Sequence, residues 1–260
     1  MERRHLFDHA VQAYDAVRPG YDAQLFEDII EYAHIMPGQR IVEVGCGTGQ
    51  ATQPFLDRSC RITAIELGSR MASYTRKKFA DYENLEIIHG KFEDCDSEPG
   101  RFDMLFSATA FHWIPPEVGY PKARRIIRSG GTLALFWNRP SVNNPEDPLH
   151  RRIQSLYDRF VPEWSLKGQK RDPGLAQQFA NNLNEIEAYG FRDLKFKLYR
   201  STRTVTGEQY TQLLSTYSDH RSLGEKIRNP FFHAIQETIE DCGNRLVIHD
   251  TVDLYLARNP

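Results

Sequence analysis

Between residues 6 and 17 the apolar side chains Phe7, Ala10, Val11, Tyr14 and Val17 recur at three- and four-residue intervals, which gathers them on one face of a helix. Pro19 disfavours helical geometry at Arg18 and closes that segment. Asp22 caps a second predicted helix, whose Leu25, Phe26, Ile29, Ile30 and Ala33 keep the same period until Pro37-Gly38 ends it. From Arg40 the pattern shortens to apolar runs of strand length: RIVEV (40 to 44), RITAIE (61 to 66), LEIIH (85 to 89), FDMLFS (102 to 107) and TLALFW (132 to 137). Helical stretches at about 50 to 58, 69 to 80 and 122 to 127 fall among them, the last followed by a turn at Ser129-Gly130-Gly131. Apolar strands alternating with helices predict a parallel sheet covered on both faces, with ligands at the carboxyl ends of the strands.

Past Trp137 the rhythm breaks. NRPSVNNPEDP reads as a loop, followed by helices near 148 to 160 and 174 to 189. Extended segments at 194 to 205 and 245 to 258 flank helices around 207 to 217 and 222 to 241. Two late strands joined in this way are expected to pair antiparallel at the sheet edge and to leave the intervening helices over the strand ends. Residues 1 to 260 therefore read as a single α/β domain: a seven-stranded, mostly parallel sheet with its last strand antiparallel and helices on both faces. Residues 1 to 36 form an N-terminal helical arm, and 141 to 190 and 207 to 241 are expected to be lid helices on the substrate side.

Composition narrows the classes. With 40% apolar and 26% charged residues, the chain has the balance of a domain that folds in water, unlike a disordered or fibrous chain. No run approaches the roughly 18 to 20 apolar residues of a membrane span, and MERRHLFDHAVQAYD carries no apolar export segment. The expected location is cytoplasmic, with no membrane partner. A formal net charge of −2 argues against a surface built to grip nucleic acid, and the basic runs PKARRIIR (121 to 128) and TRKKF (75 to 79) read as solvated helix faces. Cys46, Cys60, Cys95 and Cys242 are scattered, with neither a CxxC pair nor a Cys/His cluster at zinc spacing, so reduced thiols and no metal are expected.

The candidate chemistry lies in IVEVGCGTGQ (41 to 50). Three glycines between a strand and a helix allow a tight turn and let a ligand approach the backbone. A dinucleotide fingerprint asks for glycine at position 50, where this chain has Gln50, and no Walker A lysine follows. Glu66 closes the next strand, where a carboxylate accepts hydrogen bonds from ribose hydroxyls. Glu43, just before the glycines, repels a pyrophosphate and attracts an ammonium. A ribose-bearing cofactor with a positive charge is favoured over a dinucleotide.

With these residues the sequence resembles the class I S-adenosylmethionine-dependent methyltransferases, and among them the small-molecule enzymes of the trans-aconitate methyltransferase, or methyltransferase type 11, group. The resemblance rests on VEVGCGTG (42 to 49), AIELGSRM (64 to 71), IIHGKFEDCD (87 to 96), FDMLFSATAFHWI (102 to 114) and SGGTLALFW (129 to 137), in that order. FDHAVQAYDAVRPGYD (7 to 22) and STYS (215 to 218) extend it to most of the chain. It implies a Rossmann-like sheet, S-adenosyl-L-methionine as cofactor and a small-molecule methyl acceptor. Gly45, Gly47 and Gly49, with Cys46 and Thr48 between them, are then expected along the methionine portion, with Glu43 near its amino group. Glu66 is expected on the ribose diol, and Leu67 and Met71 beside the adenine. Relatives place an acidic residue directly after the glycine of the third block; here Lys91 follows Gly90, so the adenine amino group falls to the Phe92 backbone and Glu93. Ser107, at the end of the fourth strand, is expected to face the methionine end with its carbonyl. SATAFHW departs from the Asn-Pro-Pro-aromatic turn of nucleic-acid amine methyltransferases, which sets base methylation aside.

Methyl transfer from such a cofactor needs a nucleophile in line with the methyl and the exclusion of water. Tyr14 is expected near the sulfonium and Arg18 on the cofactor carboxylate. His112 and Trp113 follow the fourth strand, where the acceptor belongs, the first as orienting group or base and the second as pocket wall. Arg139 is a candidate partner for an acceptor carboxylate. A carboxylate acceptor needs no base, whereas a phenol or amine makes His112 essential. An NAD(P)-dependent oxidoreductase and a non-catalytic S-adenosylmethionine-binding protein are the competing readings; the acceptor, the accepting atom and the oligomeric state stay open.

Overall fold

The computed structural model describes residues 11–164 and 174–260. Phe7 and Ala10 of the first predicted helix, and residues 165 to 173 of the segment 141 to 190, lie outside the described residues. Five strands, β1 (Arg40–Val44), β2 (Arg61–Glu66), β3 (Leu85–His89), β4 (Phe102–Ala108) and β5 (Ile127–Ser141), pair in parallel. β6 (Arg192–Val205) and β7 (Leu246–Arg258) complete a seven-stranded sheet of order β3-β2-β1-β4-β5-β7-β6, with β7 antiparallel to both of its neighbours. This is the Rossmann-like sheet with an antiparallel last strand that the apolar runs predict.

Alternation along the strands builds two cores. Ile41, Met104, Phe106, Ala134 and Phe136 join one apolar cluster, and Val42, Val44, Leu105, Leu133 and Leu135 join another. The register Val42↔Leu105 between β1 and β4 keeps the two sets on opposite faces. The helices are α1 (Val11–Val17), α2 (Ala23–Ala33), α3 (Gln53–Leu56), α4 (Ser69–Lys78), α5 (Pro116–Ile126), α6 (Pro148–Phe160), α7 (Gly174–Ala188), α8 (Gly207–Leu214), α9 (Ser218–Ser222) and α10 (Glu225–Asp241). Leu25, Phe26 and Ile29 of α2 and Phe55 of α3 cover the first face. Tyr120, Ala123 and Ile126 of α5, with Phe179 and Ile186 of α7, cover the second.

A third apolar cluster stands apart from the sheet faces. Leu149 and Ile153 of α6, Leu213 and Leu214 of α8, Phe231, Ile235 and Ile239 of α10 and Leu246 and Ile248 of β7 pack together. Each fully buried side chain of this size contributes about 1.5–3 kcal/mol. Of the segment 141 to 190, α6 belongs to this cluster, whereas α7 packs on the sheet.

Boundaries shift where capping chemistry overrides periodicity. Asp22 caps α2 by accepting the N–H of Gln24, as expected, but the helix stops at Ala33, before Pro37, because His34 takes a left-handed conformation (φ 54). The helix expected at 50 to 58 shrinks to Gln53–Leu56, since turns run on from the glycine loop through Thr52. α5 begins at Pro116 and not at Lys122, with proline in the first turn, where its missing N–H costs nothing. The turn expected at Ser129-Gly130-Gly131 is absorbed into β5 beside a register shift between Phe102 and Met104. Among the described residues no helix is long and apolar enough to cross a membrane.

Candidate functional site

The strand order reverses between β1 and β4, so the loops leaving their carboxyl ends diverge and open a crevice. Gly45 leaves β1 with φ 75, and a Cβ there would stand 2.4 Å from that of Ala110, just past β4. Gly49, with φ 85, lies so close to Phe79 that a Cβ would meet its ring at 2.3 Å. The first glycine lets the two loops meet at the crevice; the last packs the glycine loop onto the end of α4.

Glu66 organises the same loop. Its Oε2 accepts the N–H of Gly47 at 2.8 Å and its Oε1 the N–H of Gly68 at 2.7 Å. Thr75 Oγ1 donates to the Gly47 carbonyl at 2.7 Å. A carboxylate oxygen accepts more than one hydrogen bond, so Glu66 keeps capacity for a diol while held by the backbone.

A cavity of about 740 Å³ adjoins these groups, within the roughly 300–1,000 Å³ usual for small-ligand sites. Gly45, Gly47, Glu66, Leu67, Met71, Phe92 and Glu93 all line it, with Lys91 beside them. Lys122 Nζ donates to the Glu93 carbonyl at 2.9 Å and lies 5.2 Å from the centre of the Phe92 ring, which braces this side of the wall. Tyr14 and Arg18 reach the cavity from α1 and the residue after it. Arg18 is clamped: Nε and Nη2 donate to Thr216 Oγ1 and O, each at 2.9 Å, and the guanidinium lies 4.9 Å and 4.3 Å from the ring centres of Tyr14 and Tyr217. Those two nitrogens face α8 and α9, and the cofactor carboxylate predicted for Arg18 has to share it with Thr216.

Six sequence-predicted residues are not on the wall of this cavity. Glu43 is fully buried, with Oε2 accepting from Thr52 Oγ1 at 2.6 Å and Oε1 without a partner among the described residues. Burial, reinforced by the Glu66 charge, pushes its carboxyl up to about 8. Cys46 packs into the first core, and burial raises its thiol. Thr48 Oγ1 accepts from Gln50 Nε2 at 2.6 Å, and Gly49 serves the contact with Phe79. Ser107 Oγ donates to the Val44 carbonyl at 2.7 Å and ties the ends of β4 and β1. Arg139 is engaged by Asp253 through two hydrogen bonds, Nε–Oδ1 at 2.7 Å and Nη2–Oδ2 at 3.1 Å, and by Gln178 Oε1 at 3.2 Å. It borders a second cavity of about 550 Å³.

His112, Thr109, Ile114 and Asn138 border both cavities, and Trp113 borders the first. Trp137 Nε1–H donates to His112 Nδ1 at 3.0 Å, which fixes the neutral tautomer with its proton on Nε2. His112 is exposed on one side and packed on the other; desolvation by the surrounding protein, then the Arg139 charge, lower its pKa to about 4. His112 is thus a hydrogen-bond donor near neutrality and a poor base. Thr109 beside it has φ 56, a strained value for a β-branched residue. It is held there by its N–H to Phe136 O at 2.7 Å, by Tyr21 Oη at 3.0 Å and by the Asn138 N–H to its Oγ1 at 3.1 Å. Asn138 Oδ1 is buried without a partner among the described residues.

Sequence reasoning missed the opposite wall. Tyr157 of α6, Tyr210 and Leu214 of α8, Tyr217, Asp219 and His220 border the cavity there. Tyr157 Oη and His220 Nε2 are 2.8 Å apart, and His220 Nδ1 and Asp219 Oδ1 are 2.8 Å apart. These residues come from three separate segments with no shared spacing; the one trace of them in the sequence is STYS, whose Thr216 holds Arg18. Among the described residues no group of three His, Cys, Asp or Glu is placed to hold a metal ion.

The chain is thus an α/β domain with a doubly wound sheet, a ligand-sized cavity at its switch point and a backbone-held glutamate at the end of β2. Residues 41–131 match the family described as "Methyltransferase domain". The chain is 28% identical over 132 residues to an uncharacterised methyltransferase of Mycobacterium tuberculosis, a match covering 51% of each protein. It is 23% identical over 235 residues to an uncharacterised methyltransferase of Schizosaccharomyces pombe, covering 90% of this chain and 87% of the relative. In fold it is similar to phosphoethanolamine N-methyltransferase 2 of Haemonchus contortus, solved with phosphomonomethylethanolamine and S-adenosylhomocysteine. The TM-score is 0.58 at 14% identity over 100% of this chain and 60% of that one. The match thus spans about half the length of the mycobacterial relative. Residues 41–131 thus carry the likeness of a methyltransferase domain, and the cofactor that goes with that likeness is S-adenosyl-L-methionine.

Proposed function

We propose that the protein transfers a methyl group to an oxygen of a small, largely uncharged molecule held under a helical lid. The observation that carries this reading is the continuity of one cavity from Glu66 to the wall of Tyr157, Tyr210 and Tyr217. The residues present fit the cofactor: a backbone-held carboxylate for the ribose diol, glycine backbone at Gly45 and Gly47, and the apolar Leu67, Met71 and Phe92 for the base. When bound, S-adenosylmethionine supplies an activated methyl on a positively charged sulfur. Glu66 then orients the ribose, Tyr14 offers an electron-rich ring beside the glycine loop, and Arg18 couples α1 to α8 and α9. His112 donates through Nε2 to orient the acceptor, and Trp113 walls it. α6, α8, α9 and α10 act as the lid that keeps water out, with α1 closing the cofactor end.

The acceptor wall argues against a polycarboxylate. Arg139 is engaged by Asp253 and Arg203 by Asp250, while the cations on the cavity wall are Arg18, held by Thr216, and Lys91, between Gly90 and Phe92. Aromatic and apolar side chains with a few hydroxyls and amides favour a neutral acceptor. Calorimetric titration with S-adenosylmethionine and S-adenosylhomocysteine, followed by a labelled-methyl screen against phenols, alcohols, carboxylic acids and amines, tests the reading. Micromolar binding with turnover on a hydroxyl compound supports it. Uptake of a pyridine dinucleotide in place of either thioether nucleoside would overturn it. Binding without turnover on any acceptor would instead favour a non-catalytic cofactor-binding protein.

A further inference from the structure

We propose that Tyr157, His220 and Asp219 form a relay that takes the proton from a hydroxyl-bearing acceptor, so that the substrate class is alcohols or phenols; this rests on the methyl-transfer reading above. The chain of hydrogen bonds has one sense. Asp219 Oδ1 also accepts the backbone N–H of His220 at 2.7 Å, and a carboxylate is an acceptor only, so His220 carries its ring proton on Nδ1. Nε2 is then a bare acceptor, and Tyr157 O–H donates to it. All three residues border the cavity.

The surroundings suit the task. The His220 ring stacks at 8° on Phe231, with centroids 6.3 Å apart, and meets Trp164 and Phe232 edge-on or tilted, so the groups facing it from α10 and the segment after α6 are apolar. The titratable groups facing it are Tyr157, Tyr217 and Asp219. Burial alone would raise the Asp219 carboxyl, but its bonds with the His220 ring and backbone outweigh that and hold it low, so it remains an anion. Burial raises the Tyr157 phenol, which makes it a carrier of the proton and not its final acceptor. His112 cannot substitute, because Trp137 occupies its free nitrogen.

The step balances as follows. The acceptor hydroxyl gives its proton to the Tyr157 oxygen while the Tyr157 proton moves to His220 Nε2. The freed oxygen pair forms the new bond to the methyl carbon, and the carbon–sulfur bond breaks with its electrons going to sulfur. The resulting imidazolium is held by Asp219 and later releases its proton to solvent. This order of hydroxyl, imidazole and carboxylate follows the logic of nucleophile, base and orienting group. Tyr157 is the catalytic residue of the relay, and His220 and Asp219 act through it.

Two measurements test the relay. Nitrogen-15 NMR of the free protein labelled in histidine should show His220 protonated on Nδ1, with Nε2 shifted back towards an unbonded nitrogen in Tyr157→Phe. A ring protonated on Nε2 would overturn the assignment. Transfer of labelled methyl to a phenol series from phenol to 4-nitrophenol, with simple alcohols and carboxylic acids alongside, supplies the second readout. Tyr157→Phe and Asp219→Asn should lower kcat on phenol by about 10²–10⁴-fold, and by much less on the already ionised 4-nitrophenolate, at unchanged affinity for S-adenosylhomocysteine. An equal loss on both phenols, no loss on either, or turnover confined to carboxylic acids would overturn it. Failure to bind S-adenosylhomocysteine at all would sink the methyl-transfer reading itself, while the NMR result would still judge the hydrogen-bond chain.

Discussion

Two titratable residues, one buried and one on a cavity wall, show how desolvation alters what a motif promises. Glu43 sits in the glycine block as an acidic residue, yet its carboxyl is raised from 4.5 to about 8, chiefly by burial. Between those values the folded protein holds a proton that the unfolded chain has released, so stability falls as pH rises through that window. Glu43→Gln removes the titration. Its stability relative to wild type is therefore expected to improve from about pH 5 to about pH 8, by an amount on the order of a few kcal/mol. Chemical denaturation across that range checks this, and a constant offset between the two proteins would refute it. His112 has the opposite sign: lowered from 6.5 to about 4, it contributes stability that is present above 6.5 and lost as pH falls through 4. Its ring resonances should not titrate until about pH 4, and Trp137→Phe, which frees Nδ1, should move that midpoint up by about one unit or more. An unchanged midpoint would show that the indole bond plays no part.

Between elements, Arg18 is one of the contacts that join α1 to the helices over the far side of the cavity, where Val17 also packs against the third cluster. Arg18 bonds both polar atoms of Thr216 and packs between Tyr14 and Tyr217, so α1, α8 and α9 meet on it. Arg18→Ala should weaken S-adenosylhomocysteine binding by about tenfold or more and speed amide exchange in residues 207 to 222. Unchanged exchange there would assign Arg18 to the ligand alone. This clamp was half legible in the sequence: Arg18 and STYS were both singled out, but nothing in a linear pattern says that they touch. The sheet itself was legible almost throughout, because short apolar runs such as IVEV and ALFW are buried on both sides and leave few alternatives. Helix ends were less so, since His34, with no glycine or proline at its own position, adopts the left-handed cap that stops α2. That Gly45, Gly47 and Glu66 share one cavity wall was readable because they belong to adjacent strand ends. The opposite wall was not, because Tyr157 and His220 are 63 positions apart and come together through the packing of the third cluster.

At the scale of the molecule, three apolar clusters among the described residues divide the work, two bracing the sheet and one holding α6, α8 and α10 together. Phe231 is fully buried in the third, in contact with Tyr157, Phe160 and His220. Phe231→Ala is expected to cost about 3–5 kcal/mol, and hydrogen exchange should accelerate in α6, α8 and α10 while β1, β2 and β4 keep their protection. Uniform acceleration would mean that these helices and the sheet unfold as one unit. The last strand bears on that outcome, for Leu246 and Ile248 lie in the third cluster, Val252, Leu254 and Leu256 in the first, and Tyr255 and Ala257 in the second. One rod of chain is therefore embedded in every hydrophobic compartment. An engineer who wishes to graft a different roof for a different acceptor must carry the opening residues of that rod along with the helices, or the transplanted part will arrive without its footing.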